Sequence, residues 1–193
     1  MPELMEVNMR RFSIRLTCLI VLLVSAQPLM AQQPKRMITN AVDESKLVVL
    51  GGNTPPAAYR IENDRGAVAD DARFEHLLLL LKRDPETEAR LLQRIEAMHD
   101  PASPEFHHWL TPDQLGAQFG THPDDVAAIQ GWLESHGFTI NQAFRSGILL
   151  DFSGTARQVR ETFHTEIHNL TLPNGEKHVA NIRDPQIPAA LAA

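Results

Sequence analysis

The chain has 193 residues, a formal net charge of −6 at pH 7, 43% hydrophobic residues and a single cysteine. An acidic chain with scattered Lys and Arg is poorly suited to a phosphate backbone, so its composition argues against a nucleic-acid-binding protein. With one cysteine the chain cannot form an internal disulfide, and hydrophobic packing has to stabilise its folded part.

Residues 1–31 have the pattern of a secretory signal peptide. A basic start ends at Arg15, residues 16–26 are largely apolar, and residues 29–31 form a cleavage site that ends in the small residue Ala31. The apolar stretch is shorter than the roughly 20 residues that a membrane helix needs. We therefore expect a secreted or periplasmic protein that starts near residue 32 and has no membrane association after cleavage.

Residues 32–73 are polar and rich in turn residues, which predicts an extended, partly ordered arm with one edge strand at residues 47–50. Residues 74–82 predict a strand. Asp84 and Pro85 then suit the N-cap and first position of a helix. Four apolar residues at helical spacing predict a buried stripe on this helix: Leu91, Leu92, Ile95 and Met98.

Two capping boxes, each a threonine with a glutamine three residues later, mark helix starts at Thr111 and Thr155. Another helix is predicted for residues 123–136, ending at Gly137. Further strands are predicted at residues 138–144, 148–152, 165–172 and 176–181, with turns at residues 146–147 and 173–175. Three aromatic residues are predicted to anchor the core: Phe106, Trp109 and Trp132.

The resulting order is strand, helices, strand, strand, helix, strand. This is the βαββαβ pattern of a ferredoxin-like domain with extra helices in the first crossover. We therefore predict that residues 74–182 form an α+β open sandwich, an antiparallel sheet with its helices on one face. Residues 183–193 contain spaced prolines, which predicts an extended linker.

The predicted sheet is more apolar than a sheet with one solvated face needs to be. Residues 77–81 are five successive leucines and residues 148–150 do not alternate either, so both faces would be apolar. Either the N-terminal arm or an added helix covers the second face, or this face docks a partner protein. The candidate docking residues are Leu77, Leu78, Leu79, Leu80, Leu81 and Leu149.

No residue pattern predicts catalysis. Ser153 and Gly154 superficially resemble a nucleophile loop, but no base and orienting group accompany them. We interpret them as the turn before the Thr155 N-cap. The chain is therefore predicted to have no catalytic residue and no cofactor.

Nine histidines raise the question of a metal site. His107 and His108 are adjacent, and His164 and His168 are four residues apart, but such spacing without a cysteine is weak evidence for metal ligands. We predict no metal. A second interpretation is pH sensing, because imidazoles gain charge as the pH falls through about 6.5.

Six sequence blocks occur in order after residue 40: DESKLVVLGGNTPPAA, LLLLLKRDPETEARLL, DPASPEFHHWLTPDQLGAQFG, VAAIQGWLESHGF, ILLDFSGTARQVRETFHTEIH and HVANIRDPQIPAALAA. Together they resemble the N-terminal activation domain, or prosegment, of the sedolisin or kumamolisin family of serine-carboxyl peptidases. The resemblance implies the same open sandwich. It also implies that this chain is not itself an enzyme, whereas its full-length relative would be a serine-type endopeptidase.

The function implied by the resemblance is that of a propeptide. It would act as an intramolecular chaperone and inhibitor of a sedolisin-like catalytic domain until acid conditions favour its release. The tail that would approach the active-site cleft consists of Asp184, Pro185, Gln186, Ile187 and Pro188. Two alternatives stay open: a free-standing protease inhibitor that acts in trans, and an unrelated exported ferredoxin-like enzyme or ligand-binding module.

Overall fold

The computed structural model of the protein describes residues 34–192, and the signal peptide predicted for residues 1–31 lies outside this range. The described residues belong to a single compact unit. Their α-helices are α1 Pro85–His99, α2 Pro112–Phe119, α3 Pro123–Ser135 and α4 Ala156–Phe163. Their strands are β1 Leu47–Val49, β2 Asp64–Ala67, β3 Arg73–Leu80, β4 Thr139–Ala143, β5 Leu149–Thr155, β6 Ile167–Thr171, β7 Lys177–Asn181 and β8 Gln186–Pro188.

The helices begin and end at capping residues that can be recognised in the sequence. Asp84 accepts hydrogen bonds from two backbone N–H groups in the first turn of α1. Thr111 and Thr155 each form a complete capping box with the glutamine three residues later. Beyond α3 the chain turns at Gly137, whose φ of 81° favours glycine. The predicted helix starts are therefore confirmed. Among residues 34–192, no helix has the length and apolar character needed to cross a membrane.

Helix α1 buries a narrower stripe than its sequence predicts. Leu91 and Met98 are buried as predicted, but Leu92 and Ile95 are exposed. At about 100° per residue, Met98 lies about 20° from Leu91 around the helix axis, Ile95 about 40° on the opposite side and Leu92 about 100° away. Exposure rises in the same order, because the remainder of the domain covers only one side of this helix.

The strands form three antiparallel sheets, β1–β8, β2–β6–β7 and β3–β5–β4. The three-stranded sheet β3–β5–β4 places the first, third and second strands of the predicted βαββαβ pattern side by side. The mixed α+β class and the open sandwich are thereby confirmed. The fourth strand of the pattern, β6, pairs instead with β2 from the N-terminal arm and with β7.

Strand β5 runs further than its sequence predicts. It continues through Ser153 and Gly154 to Thr155, because Ser153 pairs with Thr139 on one side and Gly154 pairs with Phe74 on the other. The interpretation of Ser153 and Gly154 as a turn is therefore wrong. The pairing partners that extend this strand lie far away in the sequence, so the local pattern does not reveal them.

The core lies between the inner face of the sheet β3–β5–β4 and helices α3 and α4. Trp132 packs edge-on against Phe163 with 5.5 Å between ring centroids, and Phe138 packs edge-on against Phe152 at 5.3 Å. Trp132 is thus a core anchor as predicted. Trp109 is 56% exposed, so the same prediction is wrong for it. It lies in the loop between α1 and α2, where its closest aromatic neighbours are histidine rings.

Candidate functional site: an open sheet face

Strand β3 sends its leucines alternately to the two faces of the sheet. Leu77 and Leu79 pack against the core, and Leu81 is buried within it. Leu78 and Leu80 point the other way, with 63% and 72% of their surfaces exposed. Of the five successive leucines among the six residues assigned to the docking face, the structure therefore leaves two accessible to a partner and places three on the core side.

Strand β5 adds a third apolar residue to the exposed side. Leu149 lies directly opposite Leu80 in the antiparallel ladder, and directly opposite residues point to the same face. We call Leu78, Leu80 and Leu149 the open face. The exposure of Leu78 and Leu80 shows that, within residues 34–192, neither the N-terminal arm nor a helix covers them, so in this part of the chain that alternative is wrong for these two residues.

A polar network borders the open face. Asp151 pairs with Leu78 in the ladder, and one of its carboxylate oxygens accepts a hydrogen bond of 2.9 Å from the side-chain amide of Asn141. The other oxygen lies 2.9 Å from Nδ1 of His76. Hydrogen bonds from Asn141 and then His76 lower the pKa of the Asp151 carboxyl group from its usual 3.8. The open face therefore has a fixed negative charge beside its leucines.

The hydroxyl of Ser153 belongs to the same network. Its Oγ donates a hydrogen bond of 3.3 Å to Oδ1 of Asn141, and the residue is buried. The partner of this hydroxyl is thus an amide oxygen and not a general base. The network is not evident from the sequence, because His76 and Asp151 are 75 residues apart and no local pattern joins them.

The histidines singled out by the sequence lie in different surroundings. His107 stacks on Phe106 with 3.7 Å between ring centroids. His164 ends α4 with a φ of 51°, whereas Nδ1 of His168 lies 2.8 Å from a carboxylate oxygen of Asp64 and joins β6 to β2. In the part of the chain that the structure describes, no group of three or more His, Cys, Asp or Glu is arranged to hold a metal ion.

The C-terminal segment, defined here as residues 184–192, is packed on the domain. Residues Gln186–Pro188 form β8, and Ile187 is buried in the core. Asp184 accepts hydrogen bonds of 2.9 Å from the backbone N–H of Gly52 and from the hydroxyl of Thr54. These two bonds, that of Gly52 first, lower the pKa of the Asp184 carboxyl group.

The five tail residues assigned from the sequence are therefore held by the N-terminal arm. Pro185 contributes to this contact, since its carbonyl oxygen accepts a 2.8 Å hydrogen bond from the N–H of Leu50. A short strand with spaced prolines has no periodicity that would reveal its pairing. The pairing with β1 is consequently visible only in the folded chain.

Comparisons with known proteins cover both the open face and the C-terminal segment. A family model described as the pro-kumamolisin activation domain matches residues 63–193. Among curated proteins, sedolisin of Pseudomonas sp. (strain 101) is 30% identical over 117 residues, which are 60% of this chain and 19% of that protein. The chain therefore resembles a minor part of that relative. The matched family region contains the open face and the C-terminal segment, but not residues 34–62.

Proposed function

The chain belongs to the family of pro-kumamolisin activation domains, and from this premise we propose that it is the propeptide of a secreted sedolisin-type serine-carboxyl peptidase. The observation that supports this most strongly is the family match over residues 63–193. In the proposal the chain has no catalytic role of its own. It binds the catalytic domain, promotes its folding and inhibits it.

The open face is the proposed contact with the catalytic domain. Complete burial of a leucine side chain stabilises a complex by roughly 1.5–3 kcal/mol. Because Leu78 and Leu80 are already partly covered, their burial on a partner would contribute about 1–2 kcal/mol each. The ionised Asp151 beside them would favour a partner that offers a donor or a cation at this position.

Chaperone activity follows from the same contact. A surface that binds the folded catalytic domain and not its unfolded chain stabilises the folded state by mass action. A covalent connection between the two would raise the effective concentration of the propeptide to the millimolar range. Inhibition and assistance in folding would thus be two results of one complementary interface.

Acid release is the third part of the proposal. Histidines that are neutral in a contact resist burial once they are charged, and carboxylates that pair across an interface lose that pairing once they are protonated. His76 lies beside the open face, with its Nδ1 2.9 Å from Asp151, where a docked partner would contact it. A partner carboxylate directly over His76 would act in the opposite direction.

The proposal is tested by inhibition of a sedolisin-type peptidase by residues 32–193 added in trans. The parent fragment should inhibit, and Leu78→Asp or Leu80→Asp should raise the inhibition constant about 10- to 100-fold. The reason is that each variant loses apolar burial and buries a carboxylate instead.

Ile61→Asp is the matched control, because Ile61 is 88% exposed and lies outside the sheet β3–β5–β4. This variant should inhibit as the parent does. Circular dichroism should be the same for all four proteins. A charged leucine variant that inhibits as well as the parent would show that the open face is not the contact.

A further inference from the structure

The first part of the N-terminal arm, residues 34–54, lies outside the region matched by the family model, which begins at residue 63. It nevertheless contacts the opposite end of the described chain. One cavity of about 150 Å³ is lined by both ends, with Met37 and Ile38 from the arm and Ile187 and Leu191 from the C-terminal segment. The arm is attached to the domain at three places.

The first attachment is in the first turn of α3. The side chain of Asp125 is 1% exposed. Its two carboxylate oxygens accept hydrogen bonds from the backbone N–H groups of Met37 at 2.7 Å and Ile38 at 3.0 Å. Ile38 is itself buried in the core. A buried carboxylate is costly unless it is hydrogen-bonded, so departure of the arm would leave Asp125 in need of new partners.

The second attachment is at the other end of α3. The indole N–H of Trp132 donates a hydrogen bond of 2.7 Å to Glu44 Oε1, and Nε2 of His136 lies 3.7 Å from the same oxygen. From Asp125 to His136 the helix rises about 16 Å. Residues 37–44 therefore follow α3 from its first turn to its end.

The third attachment is the ladder between β1 and β8. Val48 pairs with Ile187, and beyond the ladder the carbonyl oxygen of Lys46 accepts a 2.7 Å hydrogen bond from the N–H of Ala189. In the described structure β8 has β1 as its partner in a two-stranded sheet. A two-stranded ribbon contributes little stability by itself, so the position of β8 depends on the burial of Ile187 in the core and on how firmly the arm is anchored elsewhere.

From these three attachments we infer that residues 34–54 are a strap that holds the C-terminal segment on the domain. While the strap is bound along α3, β8 and Leu191 stay packed and a protease cannot engage the backbone of this segment. Release or cleavage of the strap opens the segment. Proteolysis then follows the population of the opened state. As part of propeptide removal, which rests on the proposed function, the strap would set an order of cleavage, with the arm first and the C-terminal segment second.

The test measures opening of the C-terminal segment in residues 32–193, with no partner protease of the family present. Asp125→Asn keeps the shape of the side chain but replaces one of the two accepting carboxylate oxygens by an NH2 donor, so one of the two bonds from Met37 and Ile38 is lost. Site-resolved hydrogen exchange at the N–H of Ala189 should become about tenfold faster. Exchange at the N–H of Phe152, in the centre of β5, should not change. A broad-specificity protease should cut residues 184–192 correspondingly faster.

Glu134→Gln is the matched control, because Glu134 is an exposed carboxylate on the same helix. It should leave the exchange of Ala189 as in the parent. The inference is overturned if Asp125→Asn speeds exchange at Ile38 but not at Ala189. It is also overturned if Phe152 accelerates as much as Ala189, since the segment would then open only when the entire domain unfolds.

A cross-link provides the reverse experiment. Val49 and Gln186 pair next to the hydrogen-bonded Leu50 and Pro185, so they form a non-hydrogen-bonded pair with the short Cα separation that suits a disulfide. The fragment contains no other cysteine. Two further substitutions, Val49→Cys and Gln186→Cys, are made in the Asp125→Asn variant. When their disulfide is formed, exchange at the N–H of Ala189 should be slow again. When it is reduced, exchange should be as fast as in Asp125→Asn alone. Fast exchange in the oxidised form would contradict the strap.

Discussion

Asp151, which borders the open face, has a charge that its neighbours control. Asn141 donates to one carboxylate oxygen and His76 contacts the other. Both interactions favour the ionised form, which is why the pKa of Asp151 lies below its usual 3.8. A group with a lowered folded-state pKa stabilises the fold above its unfolded-state pKa. That contribution disappears as the pH falls through the lower, folded-state value.

Asp151→Asn should therefore lower the melting temperature of residues 32–193 at pH 7. The difference from the parent should shrink as the pH falls below 3.8 and through the lower folded-state pKa, where the parent carboxyl group also becomes neutral. Thermal unfolding monitored by circular dichroism at several pH values measures this. The control is Asp113→Asn, because Asp113 pairs with Arg145 at an exposed position and such pairs contribute little. A difference for Asp151→Asn that is independent of pH would argue against a role of the charge.

At the scale of the elements, two helical glycines have opposite surroundings. Gly131 lies in α3, and a Cβ atom built on it would have no neighbour within 4 Å. Gly116 lies in α2, where a Cβ atom would overlap the carbonyl oxygen of Arg145. The backbone of the turn between β4 and β5 approaches α2 closely at this point. Helix propensity favours alanine over glycine at both positions, so only the packing around the two residues differs.

Gly131→Ala should stabilise the domain by about 0.5–1 kcal/mol, the ordinary gain of alanine over glycine within a helix. Gly116→Ala should destabilise it by about 1–3 kcal/mol, since helix and turn have to move apart. Urea unfolding of both variants beside the parent measures the two free energies. Shifts of the same sign would contradict the close approach of α2 and the turn.

For the molecule as a whole, acid response depends on a set of carboxyl groups with lowered pKa. Within residues 34–192 these are Asp43, Asp64, Asp70, Asp84, Asp151, Glu176 and Asp184. Their usual values are 3.8 for Asp and 4.5 for Glu. All of them stabilise the fold fully above these values and lose this contribution only as the pH falls through their lower folded-state values.

We therefore expect the domain to stay folded from pH 7 to about 4.5, while its complex with the peptidase weakens over the same interval. Circular dichroism should be constant there, whereas the dissociation constant should rise on acidification. Unfolding of the free domain at pH 5–6 would mean that release occurs through unfolding. A dissociation constant that stays flat or falls would mean that removal depends on cleavage alone.

Features that depend on neighbouring residues were predictable from the sequence. The helix starts at Asp84, Thr111 and Thr155 were predicted because a cap and its partner lie within three residues of each other. The order of strands and helices, and with it the α+β class, followed from such local signals. The leucine run also predicted a sheet with two apolar faces, because successive strand residues point to opposite faces and all five are leucine.

Tertiary structure decided whatever joins distant residues. Which leucines form the open face depends on the register of β3 against β5, and a shift by one residue would exchange Leu77 with Leu78. Asp125 and Met37 are 88 residues apart in the sequence. Strand β1 lies near the beginning of the described chain and pairs with β8 near its end. These contacts exist only because packing of the core brings their partners together, so no local pattern of the chain contains them.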